Sequence, residues 1–158
     1  MRLVEITDEN REAVCALRVR PGQERFVTGV ARSLDEAAAI PEAQPWYRAV
    51  YVEEEPVGFV MLSWNVPPGQ PGIIGPYFLW RLLVDGRFQG MGHGRAIVDA
   101  VVELVRADGG TELLTSYQPG EDGPAEFYRK YGFEATGEVE DGEPVVRLDL
   151  SRGVRTPD

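Results

Sequence analysis

Three signals follow one another without a gap between residues 77 and 110. YFLWRLLVD (77–85) is an aromatic and branched apolar run closed by Asp85-Gly86, which reads as a largely buried strand ending in a turn. RFQGMGHGR (87–95) then sets Gly90, Gly92 and Gly94 at alternate positions, with an arginine at each end. Beyond it Ile97, Val98, Val101, Val102 and Val105 recur at helical spacing, Asp99, Glu103 and Arg106 lie elsewhere around the same helix, and Gly109-Gly110 ends it. A strand that enters an amphipathic helix through such a loop must lay helix against sheet, which commits the chain to a layered α/β arrangement. Glycine loses more conformational entropy on folding than any other residue, so the cluster calls for a reason. Unpaired N–H groups in a helix's first turn, the positive end of its dipole and a backbone open to close approach together suit a phosphate.

Spacing narrows the choice of phosphate ligand. A Walker loop needs a Gly-Lys pair, and the chain has none. A dinucleotide fingerprint needs G-x-G-x-x-G, and here the third glycine comes one position early. Gln89-Gly90-Met91-Gly92-His93-Gly94 instead has the form Q/R-x-x-G-x-G/A, and it resembles the acetyl-CoA pyrophosphate loop of the GCN5-related N-acetyltransferases. The resemblance implies acetyl-CoA as co-substrate. Arg87, Gln89, Gly90, Met91, Gly92, His93, Gly94 and Arg95 would surround its diphosphate, and Leu82, Leu83 and Val84 would pair with its pantetheine arm. It also implies a main-chain N–H near Leu83 that stabilises the oxyanion.

A second motif, AEFYRKYGF (125–133), matches the C-terminal motif of the same family, in which a tyrosine lies beside the sulfur of coenzyme A. Carried over, Tyr128 is both a cofactor contact and the general acid, while Tyr131 falls outside that slot and is read as packing. Many relatives place an asparagine a few residues earlier. Here Glu121 and Asp122 occupy that region, and no asparagine lies between 111 and 132.

The remaining elements agree with one domain over residues 1–158. MRLVEI reads as a first strand, Thr7 as the N-cap of a helix over 8–18, and Ser33-Leu34-Asp35-Glu36 as a capping box opening a second helix. WYRAVYV and VGFVMLSWN read as a hairpin about Glu53–Pro56, and VPPGQPGIIGP (66–76) as an inter-strand loop. ELLTSY, then a short helix between Pro124 and Gly132, then FEATGEVE and EPVVRLDL about Asp141-Gly142 complete the chain. The expected fold is α/β (α+β), a mixed central sheet of about six to seven strands with about four helices, in the order of the acetyltransferase fold.

RFVTGVARSLDEAAAIPEAQPWYRAVYVEEEPVGFVML, YFLWRLLVDGRFQGMGHGRA and GEVEDGEPVVRLDL together resemble a bacterial branch described as spermidine or diamine N-acetyltransferases. That resemblance implies a small-molecule primary amine as acceptor, such as spermidine or spermine. The net charge of −10 argues against a nucleic-acid partner and suits steering of a cation, although acidity also serves solubility alone. Because an amine with a pKa of about 10 is almost wholly protonated at neutral pH, a base is required. His93 lies in the phosphate loop, away from the amine. Glu24, Glu36 and Glu42 fall in the segment that covers the acceptor groove in relatives, with Trp80 at the same groove. Arg81 beside it would repel an ammonium unless a neighbour neutralised it.

Other readings stay open: an aminoglycoside, a streptothricin-like drug or a protein amine as acceptor, or a non-catalytic acyl-CoA sensor. No metal site is expected. The lone Cys15 reads as a buried structural thiol. No apolar run approaches a membrane span and the acidic N-terminus is unlike a signal peptide, so the expectation is a cytoplasmic protein with no membrane partner. The apolar β-rich C-terminus suggests a homodimer.

Overall fold

The structure, a computed structural model, describes residues 1–151. Seven strands form one sheet: β1 (Arg2–Val4), β2 (Pro45–Val52), β3 (Glu55–Ser63), β4 (Phe78–Val84), β5 (Glu112–Ser116), β6 (Glu134–Glu140) and β7 (Glu143–Asp149), in the spatial order β1-β2-β3-β4-β5-β7-β6. Helices α1 (Arg11–Cys15), α2 (Val30–Ala39), α3 (His93–Ala107) and α4 (Ala125–Tyr131) cover it. α1, the segment just after it and α2 bury Val14, Leu17, Val30, Leu34 and Ala37 against Ala49, Phe59, Met61 and Leu83. On the opposite face, the predicted stripe of α3 packs with Val60, Leu62, Leu79 and Leu113, joined by Tyr128 of α4. This is the layered mixed sheet expected from the sequence.

Two features of β4 create the site. It runs parallel to β5, the one parallel pair among the described strands, and the two match at Phe78↔Leu114 and Leu79↔Thr115 before separating. The sheet therefore opens at their carboxyl ends, where ligands of parallel sheets bind. The register of β4 with β3 also slips, with Met61 opposite Arg81 but Leu62 opposite Leu79. Trp80 is the extra residue of a bulge. Side chains in a regular strand alternate, so Leu79 and Leu83 would share a face; with the bulge, Leu79 joins the α3 core and Leu83 the α2 core.

Several boundaries differ from the sequence reading. Thr7 does not cap α1; its N–H donates to Asn10 Oδ1 at 2.8 Å, and the helix spans Arg11–Cys15 rather than 8–18. It stops early because Arg18 N–H bonds Asp85 Oδ2 and Gly86 N–H bonds Arg18 O, which hold the following segment against the end of β4. Ser33 is no N-cap either. α2 begins at Val30 behind Gly29, and Ser33 is fully buried with its hydroxyl donating to Gly29 O at 2.8 Å. The earlier start brings Val30 into the core beside Leu34 and Ala37. Cys15 is half-buried against the α1–α2 core rather than enclosed. The C-terminal edge is not apolar: every residue of β6 is exposed, Glu134, Glu138 and Glu140 among them.

Candidate functional site

A cleft of about 530 Å³ begins where β4 and β5 part. Leu82 and Val84 form its floor, the glycine loop and the start of α3 one wall, and Phe127, Lys130 and Tyr131 of α4 the other. Asp85 N–H donates to Val57 O of β3, so by strand alternation the main chain of Leu83 also faces β3, while that of Leu82 and Val84 faces the opening. Leu83 itself is buried in the α2 core. The main-chain N–H that faces the opening is therefore that of Leu82, whereas the Leu83 N–H, expected at the site from the sequence, faces β3.

The loop is held from beneath. Asp85 is 4% exposed and accepts from Arg87 N–H (3.0 Å), Arg87 Nε (2.8 Å) and Arg18 N–H (2.9 Å). Burial works to raise its pKa, but these donors outweigh it and hold the carboxyl below its ordinary value. Gln89 Nε2 donates to Val84 O (3.0 Å) and Gln23 Oε1 (2.8 Å), clipping the loop to β4 and to the segment after α1. Gly90 and Gly92 take φ of +80° and +83°, and a Cβ on either would meet nothing within 4 Å. The space beside both glycines is open, and the left-handed backbone turns the chain into α3. From Gln89 to Arg95, no main-chain N–H donates to a protein acceptor among the described residues. A diphosphate suits this row of free donors, and the predicted residues Gln89, Gly90, Gly92, His93, Gly94 and Arg95 all line the cleft. Arg87 and Met91 do not: Arg87 pairs with Asp85 and Glu55, and Met91 is 66% exposed.

Tyr128 lies deeper, in a chamber of about 220 Å³ that shares Leu82 and Phe127 with the cleft. It is 7% exposed and packed between Tyr117 (stacked, 6.1 Å) and Phe133 (edge-on, 5.3 Å). Burial raises its pKa to about 12, opposed by a hydrogen bond with Thr115 and reinforced by the charge of Glu143, so the phenol keeps its proton. Tyr131 is more than packing: it lines the cleft, and its hydroxyl donates to Asp99 Oδ1 at 2.6 Å, with Arg95 over its ring.

Through Trp80, Arg81, Ser116 and Glu143 the chamber continues into a pocket of about 370 Å³. Its carboxylates are Glu36, Glu140, Asp141 and Glu143. Arg81 is paired with Glu36 of α2, the neutralising neighbour that the sequence called for. Of the acids expected at the groove, Glu36 is thus engaged by Arg81, and Glu24 sits exposed at the chamber rim with Oε2 accepting from Gly22 N–H. Glu42 is exposed and lines none of the three spaces. Trp80 lines both chamber and pocket. His93 lines only the cleft.

The sequence reading missed Glu143, Glu140 and Asp141. Their local pattern is that of a strand-turn-strand, and only the pairing of β5 with β7 carries them to the opening. Phe127 and Lys130 were missed inside a motif already singled out; their spacing of one and two positions around Tyr128 was the available signal.

Known proteins share this fold. A profile of the acetyltransferase (GNAT) family matches residues 11–133. The chain is 26% identical over 147 residues to the spermine/spermidine N(1)-acetyltransferase of Bacillus subtilis (strain 168), covering 92% of this chain and 95% of that one. An acetyltransferase from Thermus thermophilus shares the fold at a TM-score of 0.73 and 16% identity, over 94% of this chain and 96% of that one. An aminoglycoside 6'-N-acetyltransferase complexed with coenzyme A does so at 0.65 and 17%, over the full length of both chains.

Proposed function

Because the chain belongs to the acetyltransferase (GNAT) family, we propose that it moves the acetyl group of acetyl-CoA directly to a primary amine, and that the amine is a diamine or polyamine such as spermidine or spermine. One observation carries the choice of acceptor: the pocket beyond Tyr128 sets Glu36, Glu140, Asp141 and Glu143 against the single cation Arg81 among its lining residues, itself neutralised by Glu36. A polycationic chain suits such a lining, and the Bacillus subtilis relative is named for such substrates.

When bound, acetyl-CoA supplies an acyl carbon activated as a thioester. The free amides from Gln89 to Arg95 hold its diphosphate, with Arg95 and Lys130 adding positive charge at the cleft. Leu82 and Val84 present their main chain to the pantetheine arm, and Leu82 N–H is placed to receive negative charge developing on the acyl oxygen. Tyr128 returns a proton to the departing thiolate. A cytoplasmic location belongs to the same proposal, whereas the exposed, acidic β6 removes the apolar edge on which the expected homodimer rested.

Thiol release from acetyl-CoA, measured against polyamines, aminoglycosides and peptides, tests the reading. Turnover with diamines and polyamines, and acetylated product by mass spectrometry, is the expected result. Preference for an aminoglycoside or peptide would overturn the acceptor, and tight coenzyme A binding with no turnover anywhere would identify a sensor instead.

A further inference from the structure

Resting on that acyl-transfer reading, we propose that Glu143 takes the proton from the acceptor ammonium. β7 starts at Glu143 and pairs antiparallel with β5, with Ser116 opposite Val145, so the beginning of β7 lies beside the end of β5 where β4 departs. Glu143 lines both the Tyr128 chamber and the acceptor pocket, which places it at the passage the amine must cross. Ser116 Oγ donates to Oε1 at 2.9 Å, and Oε2 has no protein partner among the described residues. One oxygen is fixed and the other is free to accept.

The other candidates are engaged or remote. Glu36 is bound by Arg81, Glu24 is at the rim, Glu140 and Asp141 line the pocket but not the chamber, and His93 lines only the cofactor cleft. The charged and titratable groups that share these two spaces with Glu143 are Arg81 from β4, Glu36 from α2, Glu24 and Arg25 from the segment before α2, Tyr117 after β5, Tyr128 from α4, and Glu140 and Asp141 from its own hairpin.

The protons balance. The ammonium gives one to Glu143; the freed nitrogen pair forms the C–N bond to the acyl carbon as the C–S bond breaks. Tyr128 protonates the thiolate sulfur, and the second proton on nitrogen restores the Tyr128 hydroxyl. Glu143 then releases its proton to solvent. The net products are the amide, the thiol and one proton.

The test compares wild type and Glu143→Gln from pH 6 to 10, using a diamine and spermidine, with coenzyme A affinity and melting temperature measured alongside. Expected is a kcat loss of about 10²- to 10⁴-fold near pH 7, shrinking as solvent supplies free amine toward the amine's own pKa, with coenzyme A affinity unchanged. Ser116→Ala should show a smaller loss of the same pH shape, and it serves as the readout should Glu143→Gln fail to fold. Equal loss at every pH, or none, overturns the assignment. If the wild type prefers another amine, the polyamine reading fails and the same pH comparison on that amine decides Glu143 separately; if it acetylates none, both fall.

Discussion

Tyr128 and Asp85 show how burial sets the chemistry of a single residue. Tyr128 holds its proton because the aromatic wall of Tyr117, Phe127 and Phe133 excludes water, so its pKa is raised to about 12. Tyr128→Phe should lower kcat by about 10²-fold, the low end for loss of a positioned acid, with coenzyme A affinity spared; undiminished turnover would remove the proposed acid. No alkaline limb in the wild-type rate should come from this residue below about pH 10. Asp85 moves the other way. Its folded pKa is depressed, so its contribution is present above the unfolded value of about 3.9 and is lost as pH falls through the folded value. Asp85→Asn should cost about 1.5–3 kcal/mol at pH 7, with the gap narrowing below about pH 4. Urea unfolding at both pH values measures it, and a gap independent of pH would show that charge is not the cause.

Among the elements, the strand-loop-helix unit from β4 to α3 was legible in the sequence because its signals are local: apolar run, glycine spacing, helical period. Its consequences were not. The bulge at Trp80 reverses the phase of β4, turning Arg81 and Leu83 toward α2 and the main chain of Leu82 toward the opening. A bulge is set by pairing with β3, and no residue of YFLWRLLVD announces it. The loop itself has a sharp test. At Gly92, φ of +83° disfavours any side chain, most of all a β-branched one, and the open space beside it is where the diphosphate is proposed to lie. Gly92→Val should abolish coenzyme A binding in calorimetry while costing about 1–2 kcal/mol of stability from backbone strain alone. Unchanged affinity would place the diphosphate elsewhere.

For the whole molecule, the net charge of −10 has the same sign as the carboxylate lining of the pocket. Cationic acceptors should be drawn in by the field, so kcat/KM for spermidine should fall several-fold between about 20 and 500 mM salt as the Debye length shrinks below about 10 Å. An uncharged acceptor analogue should show little change. A salt-independent value for spermidine would confine the charge to a role in solubility.

Alone, the sequence determined the layers, the glycine loop between β4 and α3 and the tyrosine of the C-terminal motif, because each is written in residues adjacent along the chain or at a fixed period. Only the tertiary structure decided which main-chain N–H faces the opening, which carboxylate Arg81 consumes, and that Glu143 stands beside Tyr128. Those depend on strand register and on contacts between residues far apart in sequence, where burial and pairing, rather than local pattern, fix each group's surroundings.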